Sequence, residues 1–438
     1  MYTAFGDAVR NEHFVACAVW RLGHWAPASH SNTRWRKCAE VTKAKVRCTF
    51  LSQRADTDLT TLGDEFFADC PYIEEIAFFA LATVQHVGNH WLSNCPSLRN
   101  VDFGGTVVEG DELRWYRSSE AHRGRHCLAS VGDFWLADCT NLVTVNFSSM
   151  YHLRLVGNNW LSRCTSLTEI HFRLPELRMV GSHWLLACSN LVSVHIEALP
   201  HLSLVEHGWL QLCESLQLLS FESPDGATLP SLERVGNDWL QGCAALRQVD
   251  FGDMTSLRVV GDQWMESCSA LVSVNVTGMN SLAWVGRNWL RCCSSLEHFT
   301  TTTTPLFTTT KKLPSGDVDL VDSQRLAIPC LSKLVFVGNS WLRDCFLLRS
   351  ADFRGAPALD SVGESWLRDC DVLDTVRFGG LRALHTIGVD MMKGCYRILH
   401  LDIENVVALG DGDGNCRGVL PIWLQRSPPV SFGFNFSP

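Results

Sequence analysis

Val260-Gly261-Asp262-Gln263-Trp264-Met265-Glu266-Ser267-Cys268-Ser269-Ala270-Leu271-Val272-Ser273-Val274-Asn275-Val276 is the stretch from which the rest of the chain can be read. It spells Val-Gly-x-x-Trp-Leu-x-x-Cys-x-x-Leu-x-x-Val-x-Phe, with Met265 in the Leu slot and Val276 in the Phe slot. The phrase recurs twelve times, its cysteine falling at Cys70, Cys95, Cys139, Cys164, Cys188, Cys213, Cys243, Cys268, Cys293, Cys345, Cys370 and Cys395. Most steps are 25 residues and one is 24, and the exceptions of 44, 30 and 52 mark insertions. A fixed period in this range marks a solenoid, in which each unit buries its apolar face only against its neighbours. A chain of 438 residues can therefore fold without dividing its apolar residues among several globular cores.

Each slot carries a physical expectation. Ten units have tryptophan, and Phe66 and Met391 fill that slot in the first and last. Glycine precedes it in eleven units, Glu206 being the exception, which predicts a turn with φ > 0. The next residue is Asp, Asn or Ser in eight units (Asp64, Asn89, Asp133, Asn158, Ser182, Asn237, Asp262, Asn339), the side chains that cap helix N-termini. Trp, Leu and Cys at relative positions 0, 1 and 4 would share one face of a short helix. The alternation Leu-x-x-Val-x-Phe reads as a strand with Val and Phe buried. The expected coil is strand, turn, short extended segment, glycine turn and a helix of one or two turns, too short to stand without its neighbours.

The phrase resembles the BspA-like (Treponema-type) leucine-rich repeat, which reads Ile-Gly-x-x-Ala-Phe-x-x-Cys-x-x-Leu-x-x-Ile-x-Ile. The match runs from residue 62 to about 403, with Trp-Leu where that family has Ala-Phe, a departure similar to repeat expansions in kinetoplastid protists. The resemblance implies an α/β repeat: a leucine-rich-repeat solenoid of about twelve coils, each a strand plus a short helix, with capped ends. The Asn/Cys ladder that follows the strand in better-known leucine-rich repeats is missing.

Residues 1–55 lack the phrase and are expected to form an N-terminal cap, 56–408 the solenoid, and 409–438 a C-terminal cap and tail. Insertions fall at about 104–130 and 300–330, the second a Thr-rich polar stretch that reads as a loop. A net charge of -9 and the absence of a sustained basic stripe give no reason to expect nucleic-acid binding. No run of 18 apolar residues exists, so a membrane span is not expected. Met1 to Trp20 carries Asp7, Arg10, Glu12 and His13 where a secretory leader needs an apolar core. A cytoplasmic monomer is expected, with the cell surface open if the N-terminus is truncated.

The site signals are sparse. Equivalent cysteines in stacked coils point the same way, which does not suit a disulfide, and buried thiols behave as small hydrophobes. The tryptophan column, on the face that carries Cys, reads as core. Gly410 to Asn415 begins like a calcium loop but has Cys416 and Ile422 where Gly and Glu are required. Asn146, Asn275 and Asn435 begin glycosylation sequons, meaningful only in a secreted chain. No phosphate loop, Gly-x-Ser-x-Gly elbow or His-Glu-x-x-His is present. What remains is the strand's outward column between the Val and Phe slots: Asp102, Asn146, His171, His195, Ser220, Asp250, Asn275, Thr300, Asp352, Arg377 and Asp402. It is polar yet differs from coil to coil, as an extended binding surface would. His171 and His195 should be neighbours, without an evident third metal ligand, so neither a metal nor a cofactor is expected. The sequence reads as a non-enzymatic scaffold for a protein partner. A surface adhesin or antigen is the alternative, and an enzyme with its site in the insertions a second one.

Overall fold

The computed structural model of the protein describes residues 47–50, 60–71, 73–78, 84–103, 127–148, 150–197, 199–222, 229–251, 254–303, 328–403 and 406. The chain forms two compact units, Met1–Leu232 and Glu233–Pro438, and both repeat the same coil. A representative coil runs through the strand Glu169–Phe172, a turn, the two-residue strand Met179–Val180, then Gly181 and the Trp184 segment, before the next strand begins at Ser193. Twelve such two-residue strands, six in each unit, delimit about eleven turns of a β-solenoid.

Two parallel ladders run along each unit. The short strands pair in steps such as Met179 with Leu155 and Leu204, or Val260 with Val235 and Val285. The longer strands pair on another face: Glu75–Phe78, Asn100–Asp102 and Thr144–Asn146, then Glu169–Phe172, Ser193–Glu197 and Leu218–Glu222. In the second unit Gln248–Asp250 pairs with Ser273–Asn275, and His298–Thr300, Ser350–Asp352, Thr375–Arg377 and His400–Asp402 form a further set. The strand Arg47–Phe50, inside the segment expected to be a cap, pairs with Glu75–Phe78, so the longer-strand ladder starts before the first full phrase. The second insertion is closed at its base by an antiparallel pair, Thr302–Thr303 with Ile328–Pro329. The ends expected as caps lie otherwise outside the described residues.

The expected short helix is absent among the described residues, and the reason is visible in the backbone. Among the described residues, all 33 non-glycine residues with positive φ lie immediately before the Trp slot, one after it, or three after it. Glycines Gly208, Gly242 and Gly394 take the same conformation at three further such places. In one coil these are His183 (65°), Leu185 (59°) and Ala187 (54°), flanking Trp184. A helix satisfies its N–H groups internally, i to i−4. Here the left-handed residues send theirs to neighbouring coils: Asn159 to Ser182 O (2.7 Å), Leu161 to Trp135 O (2.9 Å) and Arg163 to Leu186 O (2.7 Å). The residue two past Trp bonds locally, as Ser162 N–H does to Asn159 O (3.3 Å). The left-handed conformation costs a residue with a Cβ about 1–2 kcal/mol. Burying the Leu one past Trp returns about 1.5–3 kcal/mol, and the Leu side chains at that place are fully buried.

The glycine slot also has a different cause from the one expected. Gly88, Gly132, Gly157, Gly181, Gly261, Gly286, Gly338, Gly363 and Gly388 do not have positive φ. A Cβ at any of them would sit 2.2–2.9 Å from atoms of the preceding coil. Glycine is required there for close approach of coil to coil. The Asp and Asn residues that follow do not cap helices either. Each accepts, through Oδ1, the backbone N–H of its counterpart one coil on: Asn89 to Asp64, Asp133 to Asn89, Asn158 to Asp133 and Ser182 to Asn158, at 2.7–2.8 Å. Asn237, Asp262 and Asn339 do the same in the second unit, at 2.8–3.1 Å.

The core is aromatic. Trp91, Trp135, Trp160, Trp184 and Trp209 stack at 5.2–5.3 Å with planes within 5° of parallel. Trp239, Trp264, Trp289, Trp341 and Trp366 stack at 4.9–5.4 Å. Phenylalanines from the strands meet these indoles edge-on, as Phe172 does Trp160 and Trp184 and Phe353 does Trp341 and Trp366. Each such pair adds about 0.5–1.5 kcal/mol beyond area burial.

Two measurements test this account. Trp264→Ala is expected to destabilise by about 3–5 kcal/mol in denaturant unfolding, and an unchanged midpoint would contradict the stack. Gly261→Ala is expected to cost about 1–3 kcal/mol, because its Cβ would meet Asn237 N at 2.6 Å and Gly236 C at 2.7 Å. Removing the Asn237 side chain as well should not restore stability, since those two contacts are backbone.

Candidate interaction surface

The longer strands place alternate residues inward and outward, as the burial of Glu169 (exposed), Ile170 (buried), His171 (exposed) and Phe172 (buried) shows. With three or more residues per strand, two outward columns result. One is the column anticipated from sequence. The other lies two residues earlier and was not singled out: Glu75, Asn100, Thr144, Glu169, Ser193 and the exposed apolar Leu218 in the first unit, and Gln248, Ser273, His298, Ser350, Thr375 and His400 in the second. Period-two alternation was the signal that could have found it.

Register brings most of the anticipated residues into contact with their counterparts. Asn146 Nδ2 donates to Asp102 Oδ1 at 2.9 Å, and Asn275 Nδ2 to Asp250 Oδ1 at 2.9 Å. The His171 and His195 rings stack at 4.5 Å, and Ser220 Oγ lies 2.8 Å from His195 Nδ1. Arg377 and Asp402 pair in register beside Asp352. Thr300 Oγ1 turns to Thr302, within 3.2 Å of its carbonyl oxygen. The earlier column does likewise: Asn100 Nδ2 to Glu75 Oε1 (3.2 Å), Thr144 Oγ1 to Asn100 Oδ1 (2.8 Å), and His298 Nδ1 beside Ser350 Oγ (2.8 Å).

Asp352 differs from the rest. Only 8% exposed, it receives Arg354 through Nε and Nη2, at 2.6 Å for the closest contact, and Arg377 Nη1 at 3.8 Å. A carboxylate so buried and paired holds the strand to its following turn, because removing one partner of a buried ion pair leaves an uncompensated charge. At this place Arg377 is the more exposed of the two, at 37% of its side chain against 11% for Asp352. Sequence reading missed Arg354, which lies beyond the strand on its turn.

The short-strand ladder presents a second surface. Its outward residues are apolar over several coils: Leu155, Met179 and Leu204 in the first unit, then Val259, Trp284 and Phe336 in the second. Trp284 is 40% exposed and stacks on Phe336 at 5.3 Å.

The thiols are structural. Cys139, Cys164 and Cys188 donate to the carbonyl of the left-handed Leu of the preceding coil (Leu92, Leu136, Leu161) at 3.0–3.1 Å, and Cys268, Cys293 and Cys370 do the same to Leu240, Met265 and Leu342 at 3.1–3.2 Å. The described cysteines from Cys70 to Cys395 are free, and the exceptions to burial among them are Cys127 and the half-buried Cys292. Burial pushes the Cys188 and Cys268 thiols up to about 12 from the ordinary 9.0, and burial raises Cys164, Cys213 and Cys293 as well. The calcium-like loop at 410–415, the Asn435 sequon and most of both insertions lie outside the described residues. No helix among the described residues is long and apolar enough to cross a membrane.

Stacked strand-and-turn coils around a Leu, Trp and Cys core define a leucine-rich-repeat solenoid. The model of the BspA type leucine rich repeat region matches residues 46–120, 125–224 and 213–312. The chain belongs to that family, as the resemblance of its phrase implied. No curated protein matches it in sequence. Among solved structures it is similar to a leucine-rich repeat protein of Bacteroides ovatus, at 16% identity and TM-score 0.42, over 81% of this chain and 86% of that one. The Treponema pallidum leucine rich repeat protein matches at 17% identity and TM-score 0.35, over 47% of this chain and 79% of that one. A leucine rich cell surface protein of Faecalibacterium prausnitzii matches at 13% and 0.32, over 78% and 87%.

The raised thiol values carry a pH prediction. The fold holds the neutral thiol, so this contribution is fully present below pH 9 and is lost as pH rises from 9 toward 12. In that window the unfolded chain ionises its thiols and the folded chain does not. Each buried cysteine should steepen the loss by about 1.4 kcal/mol per pH unit. Denaturant unfolding across pH 8–11 should show the decline, shallower in Cys188→Ala/Cys268→Ala, and equal slopes would refute it.

Proposed function

We propose that the protein is a non-enzymatic scaffold that binds a protein partner through the outward columns of its longer strands. One observation carries this: the buried slots repeat coil after coil, while the outward positions change chemistry along the array, from Asp102 and Asn146 to His171, Asp250 and Arg377. A surface whose geometry is regular and whose chemistry is not can specify a partner by many modest polar contacts. The neighbour-to-neighbour hydrogen bonds hold these side chains in place before binding, which lowers the entropy lost on association.

The protein acts as a monomer in a reducing, cytoplasmic setting, where a chain with nineteen cysteines keeps its thiols free. The surface adhesin or antigen reading is the alternative, and glycan found at Asn146 or Asn275 would favour it. Nucleic acid is not a partner in this reading, since the outward columns hold more acids and neutral polar residues than bases.

The test compares two charge changes in the intact chain. Gln248→Arg/Asp250→Arg alters the longer-strand face, and Arg234→Glu/Arg258→Glu alters positions on and next to the short-strand ladder. Quantitative pull-down should show a partner lost from the first variant, with affinity down about tenfold or more, near 1.4 kcal/mol, and kept by the second. Loss with the second variant alone, or equal recovery with both, would move binding away from the longer-strand face.

A further inference from the structure

On the longer-strand face of the first unit, three ligand-type side chains converge. Glu169 and His171 are two residues apart on one strand and so emerge on the same side. His195 is the register partner of His171 on the next strand. Glu169 Oε1 lies 2.9 Å from His171 Nε2 and 3.6 Å from His195 Nε2. One ligand atom from each of the three falls within 4.8 Å of the others. Nitrogen and oxygen ligands about 2.0–2.2 Å from a tetrahedral ion stand roughly 3.3–3.6 Å apart, so turning the exposed His171 ring out of its stack on His195, with Glu169 following, would bring all three onto one ion.

A second observation concerns the outer partner of the more buried histidine. Ser220 Oγ lies 2.8 Å from His195 Nδ1, on the coil beyond. With Nδ1–H donated to that hydroxyl, the His195 lone pair sits on Nε2, the nitrogen that faces Glu169. Metal-binding histidines are oriented by such a bond to the other ring nitrogen. His195 is only 18% exposed on its side chain, against 56% for His171 and 57% for Glu169. One ligand is thus fixed and two can adjust, on a face open to solvent.

We propose that Glu169, His171 and His195 bind one divalent transition-metal ion of the zinc class. Two imidazoles and a carboxylate suit zinc or its neighbours rather than calcium or magnesium, which prefer all-oxygen shells. Three protein ligands leave a position for water or for a donor atom from another molecule. The site does not depend on the scaffold reading, because ligand geometry alone defines it.

Cobalt(II) is the probe, since tetrahedral cobalt absorbs visibly and zinc does not. The full chain, stripped with EDTA and titrated at neutral pH, should take up one equivalent with a visible d–d spectrum that zinc abolishes. Affinity should fall at least tenfold in His171→Ala, His195→Ala and Glu169→Gln, fall by about tenfold in Ser220→Ala, and stay unchanged in the control His298→Ala. Thermal unfolding in EDTA should match across these proteins, which separates a lost ligand from a lost fold. Absence of saturable uptake by the parent chain would overturn the proposal. So would uptake that persists in the three ligand variants, as binding at thiols elsewhere would.

Discussion

The structure depends on where the backbone N–H groups beside each Trp slot find their acceptors. Three per coil point to neighbouring coils rather than up their own segment, and that choice forces three residues per coil into the left-handed region. One of the three is an apolar residue, Leu in most coils, that the core needs, so glycine cannot relieve it. The conformation persists because stacked indoles, buried leucines and inter-coil hydrogen bonds together outweigh about 1–2 kcal/mol of strain per residue. The Cys slot follows from the same geometry. The left-handed residue's carbonyl faces the next coil, and a small buried donor is what can reach it.

That arrangement divides the coil into positions that cannot vary and positions that can. Trp, Leu, Cys and Gly are each held by a contact with the adjacent coil, and the Asp/Asn slot by a hydrogen bond to it. The outward positions of the longer strands meet their counterparts one coil away or residues two along the chain, where many pairings serve equally well. Asp with Asn, His with His and His with Ser all occur. Variation is therefore structurally cheap on this face, and it is where recognition can be written without disturbing the core. Asp352 marks the limit, since a carboxylate drawn into a buried pair with Arg354 serves the fold first.

Periodicity made the solenoid legible, and alternation made the strand and its Val column legible. The helix was misread because Trp, Leu and Cys at positions 0, 1 and 4 satisfy a helical face, and leucine gives no hint of a positive φ. A fainter signal was present in the flanking slots. Asn, Asp, His and Gly recur there, as at His90, Asn159, Asp238, Asn94, Asp138 and Gly242, and these residue types tolerate the left-handed region best. Glycine was assigned the wrong task for a related reason. Its sequence signature is the same whether a turn needs φ > 0 or a neighbour comes too close, and only the distance to the preceding coil separates the two.

By itself the sequence determined the period, the number of phrases, the residues that would be buried and one outward column, because these follow from spacing along the chain. Tertiary structure decided which coil each N–H and thiol would serve, that Glu169 would join His171 and His195, and that Asp352 would turn inward to Arg354. Most of those outcomes depend on atoms some 25 residues apart meeting across a few ångströms, and even the Asp352–Arg354 pair, two residues apart, depends on how the next coil buries it, which no local pattern encodes.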